Sequence, residues 1–273
     1  MQKVSHRRVL KKMLPPLLVL AAIFCQINGA PNALAQSPSL TLQGGVDHAE
    51  ALPGLDERLQ VGRVYSDDLF GNATEQNNND WFLIPPWYAG VRHSEDAIII
   101  SRYDCQTGQT TSPMMRQLNR QDSRSGYQVD SKGGIWDYKK VPSIQHVESD
   151  FNDAVLYVKQ ITPISGSDHQ LIIKYVEISV SYAKRSKKIL NVVQQEQINT
   201  VTCPSPGSLR VDISVKSYGW DGKPQRQEQS VIMANIVKPF EQIDQLEGRE
   251  LRPLFKDYLV SHHLENLIPK DLQ

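Results

Sequence analysis

Between residues 91 and 240 apolar and polar positions alternate. Leu209, Val211, Ile213 and Val215 are separated by Arg210, Asp212, Ser214 and Lys216. Val176, Ile178, Val180 and Tyr182 are separated by Glu177, Ser179 and Ser181. A period of two puts the two sets on opposite faces of a strand. The apolar set is mostly β-branched or aromatic, the types that suit a pleated surface. Val155, Tyr157, Val231, Met233 and the run from Ile98 to Ile100 add further strands.

Clusters of turn formers separate these runs, among them Lys132-Gly133-Gly134, Ser165-Gly166-Ser167-Asp168, Pro204-Ser205-Pro206-Gly207 and Asp221-Gly222-Lys223-Pro224. They are too short to hold crossover helices, so neighbouring strands are expected to be antiparallel. The pattern predicts a mainly β fold, an antiparallel up-and-down meander of about eight or nine strands. A long meander has to protect its edges, so residues 81–245 are expected to close into a β-barrel. The stretch from Trp81 to Ile100 reads as the lead-in to it. Pro85-Pro86 sets an extended break, Gly90 permits a turn or close approach, and Ala97 to Ile100 begins the buried run.

The period changes near the end. Leu251, Leu254, Phe255, Tyr258, Leu259, His262 and Leu267 recur at threes and fours, the stripe of an amphipathic helix. Pro253 is acceptable in a first turn. Residues 246–273 are therefore expected to be a helix packed on the barrel. Residues 36–80 sustain no period and are rich in Ser, Pro, Gly, Gln and Asn, which predicts a flexible polar leader.

Residues 1–35 change the picture of where the chain works. Lys3, Arg7, Arg8, Lys11 and Lys12 precede an apolar run from Met13 to Cys25, and Ala33-Leu34-Ala35 follows. This is the order of an export signal, and the run falls short of the ~20 residues of a membrane helix. The protein is expected to be exported, periplasmic or extracellular, with no membrane span after cleavage. General and twin-arginine export both remain open, given Arg7-Arg8. The full chain has 30 basic and 30 acidic residues, so cleavage leaves it about five charges negative. A nucleic-acid partner is not expected, since phosphate binding calls for a basic surface. Cys105 and Cys203 then remain, and an exported pair of cysteines can form a disulfide or stay free.

A tryptophan ahead of the first strand, a serial meander and a terminal helix together resemble the lipocalin-like (calycin) architecture. Trp87-Tyr88-Ala89-Gly90-Val91-Arg92 lies where that family begins its first strand with Gly-x-Trp, but Arg92 stands where the tryptophan would be. The family packs an arginine from near the chain end over that ring, and Arg249 and Arg252 are near that place. The resemblance implies a barrel and says nothing of a particular ligand.

Catalytic motifs are missing. There is no Gly-x-Ser-x-Gly, no His-Glu-x-x-His, no phosphate loop and no dinucleotide fingerprint. Ser181-Tyr182-Ala183-Lys184 matches Ser-x-x-Lys, yet it ends a strand, where positions three apart face opposite ways. His93 with Glu95 and Asp96, and His262 with His263 and Glu265, lack metal-ligand spacing. No metal or cofactor is expected. The aromatics Trp81, Trp87, Tyr88, Trp136 and Trp220 fall near strand ends or turns. They either plug the core or form the ligand-binding mouth of the barrel. The expected function is binding of a small apolar ligand or of an envelope protein. The alternatives are a hydrolase or isomerase using His and carboxylate groups in the barrel, and a structural envelope component.

Overall fold

A computed structural model describes residues 47–70, 78–148 and 152–272. The expected export signal and residues 36–46 and 71–77 of the expected leader lie outside the described residues. The strands are β1 (Asn78–Ile84), β2 (Gly90–Asp104), β3 (Thr110–Thr111), β4 (Met115–Ser125), β5 (Gln128–Val129), β6 (Ile135–Val141), β7 (Ser143–Glu148), β8 (Asn152–Gly166), β9 (Gln170–Ala183), β10 (Ile189–Ser205), β11 (Ser208–Tyr218), β12 (Pro224–Lys238), β13 (Gln245–Leu246) and β14 (Arg249–Glu250). Among the described residues one α-helix, α1, spans Leu251–Ser261.

The expected antiparallel meander is there. Strands β7 to β12 pair with their neighbours in chain order, and β2 joins on the far side of β12. Strands β3 and β4 lie along the other side of β2, which completes a nine-stranded sheet. The barrel is not. First-to-last pairing, β2 with β12, is present, but β4 and β7 do not pair and the ring stays open. The chain leaves the sheet after β4 to form β5 and β6, which build a separate three-stranded sheet with β1. It returns as β7 directly after the cis Val141–Pro142 bond. Layering replaces closure: the small sheet covers the inner face of the large one. The open edge at β4 carries Arg116, Arg120, Asp122 and Arg124, charges that discourage edge-to-edge pairing.

Three apolar clusters hold the layers together. Between the sheets, Phe82, Ile84, Tyr88 and Val141 meet Leu171, Ile173, Val211, Ile213 and Ile232. On the outer side of the small sheet, Trp81, Tyr127, Trp136 and Tyr138 receive Leu251, Phe255 and Leu259 of α1. These three helix residues are fully buried, so the helical stripe seen in sequence docks on the small sheet, not on a barrel wall. The third cluster lies on the large sheet's outer face. Ile178, Val180, Tyr182, Ile189 and Val192 are covered there by Leu59, Tyr65 and Leu69.

That third cluster revises the leader. Residues 47–70 form an ordered strap across the outer face. Tyr65 stacks on Tyr182 with ring centroids 4.3 Å apart, and Tyr65 N–H donates to Lys187 O at 2.8 Å. The few apolar residues of this stretch, Leu59, Tyr65 and Leu69, join one cluster on the sheet, and no helix or strand period marks them.

Candidate functional site

The inner face changes character along its strands. Leu171, Val201, Val211, Ile232 and Ala97 form one apolar row across the sheet. Two rows further along come Tyr175, Gln197, Val215, Glu228 and Arg102, and then Glu177, Gln195 and Ser217. Most charges here are already paired. Asp137 accepts from Gly126 N–H at 2.9 Å and lies 2.9 Å from Lys139 Nζ, and Arg102 Nε lies 2.6 Å from Glu228. Burial alone would drop the Lys139 ammonium, but Asp137 and the tyrosines beside it raise it instead. Glu177 differs. It is 4 % exposed, its side chain makes no hydrogen bond among the described residues, and burial pushes its carboxyl up to about 7.

The outer face carries a recess. An open groove of about 390 Å³ is lined by Leu52, Lys159, Gln160, Thr162, Ile164, Lys174, Val176 and Glu196. Strands β9 and β10 supply its floor, β8 one wall, and the strap the other. Lys174 Nζ lies 2.6 Å from Glu196 Oε1. The other carboxylate oxygen accepts from Ala49 N–H at 2.7 Å and stands 3.7 Å from His48 Nδ1. Burial would raise the Glu196 carboxyl; His48, Lys174 and the Ala49 amide outweigh it and hold it at about 2.

Glu196 thus ties the strap to the groove floor, and other contacts complete the tie. Ala49 O accepts from Lys216 Nζ and Tyr218 OH, both at 2.7 Å. His48 Nε2 is 2.9 Å from Ser214 Oγ. Gln194 Nε2 donates to Pro53 O at 3.1 Å, and Leu52 N–H and Leu55 N–H reach Gly222 O and Trp220 O. Gly222 is required by this crossing. Its φ is +81°, and a Cβ there would run into Leu52 O.

The aromatics singled out in sequence are not brought to one mouth. Trp81 and Trp136 pack with Phe255 beneath α1, and Trp136 Nε1 donates to Asp130 at 2.8 Å. Tyr88 is buried under the Arg92 guanidinium, 4.3 Å from the ring centre. Trp87 stands edge-on to Tyr88 and donates to Ser167 O, closing the end of the inter-sheet layer. Trp220 is 40 % exposed at the β11–β12 hairpin, where its backbone anchors the strap. Gly90, with φ +127°, lies where a Cβ would come 2.5 Å from Lys238 O, so close backbone approach is what this position demands.

Cys105 and Cys203 are both free thiols. Cys105 follows the end of β2 level with Ser217 and Gln195, whereas Cys203 is more than ~20 Å further along β10 at about 3.3 Å per residue. A disulfide cannot span that distance. His93 bonds to Glu95 at 2.8 Å and Asp122 at 2.6 Å, and Asp96 pairs with Arg116. Among the described residues no three His, Cys, Asp or Glu are arranged to hold a metal.

Sequence reasoning missed His48, Lys174 and Glu196. One signal was available. Gln194-Gln195-Glu196-Gln197 puts four long polar residues in the middle of a strand, between Val193 and Ile198. Such a run in a central strand means that polar groups are covered on both faces. No family model matches the chain, and no match is found among curated proteins or solved structures.

Proposed function

We propose that the chain is an exported binding module that takes a small molecule in the groove of its outer face. The observation that carries this reading is the groove itself. Its volume falls in the range of small-ligand sites. Apolar side chains, Leu52, Ile164 and Val176, alternate in it with a few placed polar groups, and the strap that forms one wall is tied down by Glu196, Lys216, Tyr218 and Gln194. The space between the sheets, where a barrel would carry an apolar ligand, is filled by Phe82, Ile84, Tyr88 and Leu156. Export rests on the order of charge, apolar run and small residues in 1–35.

Native mass spectrometry of protein recovered from an exporting host tests this. A small-molecule adduct is expected on the wild type and not on Val176→Trp, which fills the groove. An adduct of equal occupancy on both proteins would contradict the reading.

A second reading follows from a different place on the same face. Ile98, Leu118 and Met233, on the neighbouring strands β2, β4 and β12, are 42 %, 77 % and 50 % exposed. Apolar patches on exported proteins often mark protein interfaces, so a protein partner would sit there. Ile98→Asp with Met233→Asp should abolish co-purification of that partner and leave the groove unaffected.

A further inference from the structure

We infer that the groove takes an anionic amphiphile, a carboxylate carried on a medium-length apolar chain; this rests on the groove being the binding site. The charge it presents is set by which partner of the Lys174–Glu196 pair reaches the surface. The Glu196 side chain is 4 % exposed and its oxygens are engaged by Lys174, Ala49 N–H and the neighbouring His48. The Lys174 side chain is 23 % exposed. An ammonium has three N–H donors and Glu196 engages one, which leaves two for other acceptors at this groove-lining side chain.

On the β8 wall Lys159 is exposed and has no ion-pair partner among the described residues. Gln160 Nε2 donates to Thr162 Oγ1 at 3.0 Å, which leaves the threonine hydroxyl hydrogen to donate elsewhere. Lys174 on the floor and Lys159 and Thr162 on the wall thus all line the groove, and the lining carboxylate, Glu196, is nearly buried. A charged oxygen acceptor adds to these donors, whereas a cation would meet the uncompensated Lys159 charge and find Glu196 already engaged.

The rest of the lining is apolar. Leu52, Ile164 and Val176 flank the lysines: Val176 is the β9 partner of Gln160, next to Lys159, and Ile164 lies two residues past Thr162, the partner of Lys174. At roughly 30 Å³ per heavy atom the volume holds about a dozen atoms, the size of a carboxylate with a medium-length chain. Inorganic phosphate would use the lysines and leave this apolar wall wet.

The test is an amide-shift NMR titration of the full chain at neutral pH with four probes: decanoate, decanol, decylammonium and inorganic phosphate. Decanoate is expected to move the Gln160, Thr162, Lys174 and Val176 amides and to bind about tenfold or more tighter than the other three. Lys159→Met, a change at an exposed and unpaired side chain, should weaken decanoate about tenfold. Decanol or decylammonium binding as tightly would overturn the anionic head and leave the groove reading in place. Phosphate binding as tightly would overturn the apolar chain. If no probe moves these amides, the inference and the groove reading both fail.

Discussion

Lys174 Nζ and Glu196 Oε1 stand 2.6 Å apart on adjacent strands, with the strap closed over the carboxylate. The pair has one partner nearly buried and one partly wet, so it does two things. It fixes the strap, and it turns an ammonium toward the groove.

Glu196 should govern the acid limb of stability. Its folded value, about 2, lies below the ordinary 4.5. Its contribution is therefore complete above pH 4.5 and is lost as pH falls towards 2. Thermal unfolding across that range should show the decline, and Glu196→Gln should flatten it. Glu196→Ala leaves Lys174 without its buried partner, at a cost on the order of 2–3 kcal/mol in urea unfolding at pH 7.

Glu177 should act in the opposite sense. Its folded value, about 7, lies above the ordinary 4.5. The folded chain holds that proton more tightly, so stability falls as pH rises from about 4.5 to 7 and stays lower beyond. Glu177→Gln removes the ionisation and should stabilise the protein at pH 8 by up to about 3 kcal/mol, with little change at pH 4. Paired urea titrations at the two pH values check this. Equal effects at both would show that Glu177 has a partner when ionised.

Gly222→Ala should release the strap without unfolding the sheets. The new methyl meets Leu52 O, and the backbone is held at a φ that alanine resists. Hydrogen exchange should rise at least about tenfold at the Leu52 and Leu55 amides. The paired amides of β10 and β11 should keep their protection.

Phe255→Ala should detach α1 from the small sheet. Phe255 is fully buried between Trp81 and Trp136, at centroid distances of 4.8 and 5.6 Å. The cavity costs about 3–5 kcal/mol. Both indoles then meet water, so tryptophan emission should shift to the red.

Strand identity, antiparallel order and the terminal helix were legible because each has a short-range period. Leu209 to Val215 alternate because one face meets the small sheet, and Leu251, Phe255 and Leu259 recur because one helix face does. Closure was not legible. It depends on whether β4 meets β7, and no local pattern distinguishes a strand that continues a ring from one, such as β6, that leaves it to layer over the face. The strap was hidden for a related reason. Leu59, Tyr65 and Leu69 pack into one cluster with residues of distant strands, so their spacing obeys the sheet beneath and not their own backbone.

The groove site was the least legible part. Lys174, Glu196 and His48 are far apart in sequence and meet only through the β9–β10 register and the strap's path. The aromatics drew attention because they are large and near turns. Trp81 and Trp136 answer instead to the packing of α1.

The most direct measurement is amide-shift mapping of the isotope-labelled protein against a mixture of small fragments of varied charge. Shifts should gather at Leu52, Gln160, Thr162, Lys174, Val176 and Glu196, and vanish in Val176→Trp. Shifts gathered instead at Glu177 and Gln195 on the inner face, or at Ile98 and Met233, would contradict the groove as the binding site.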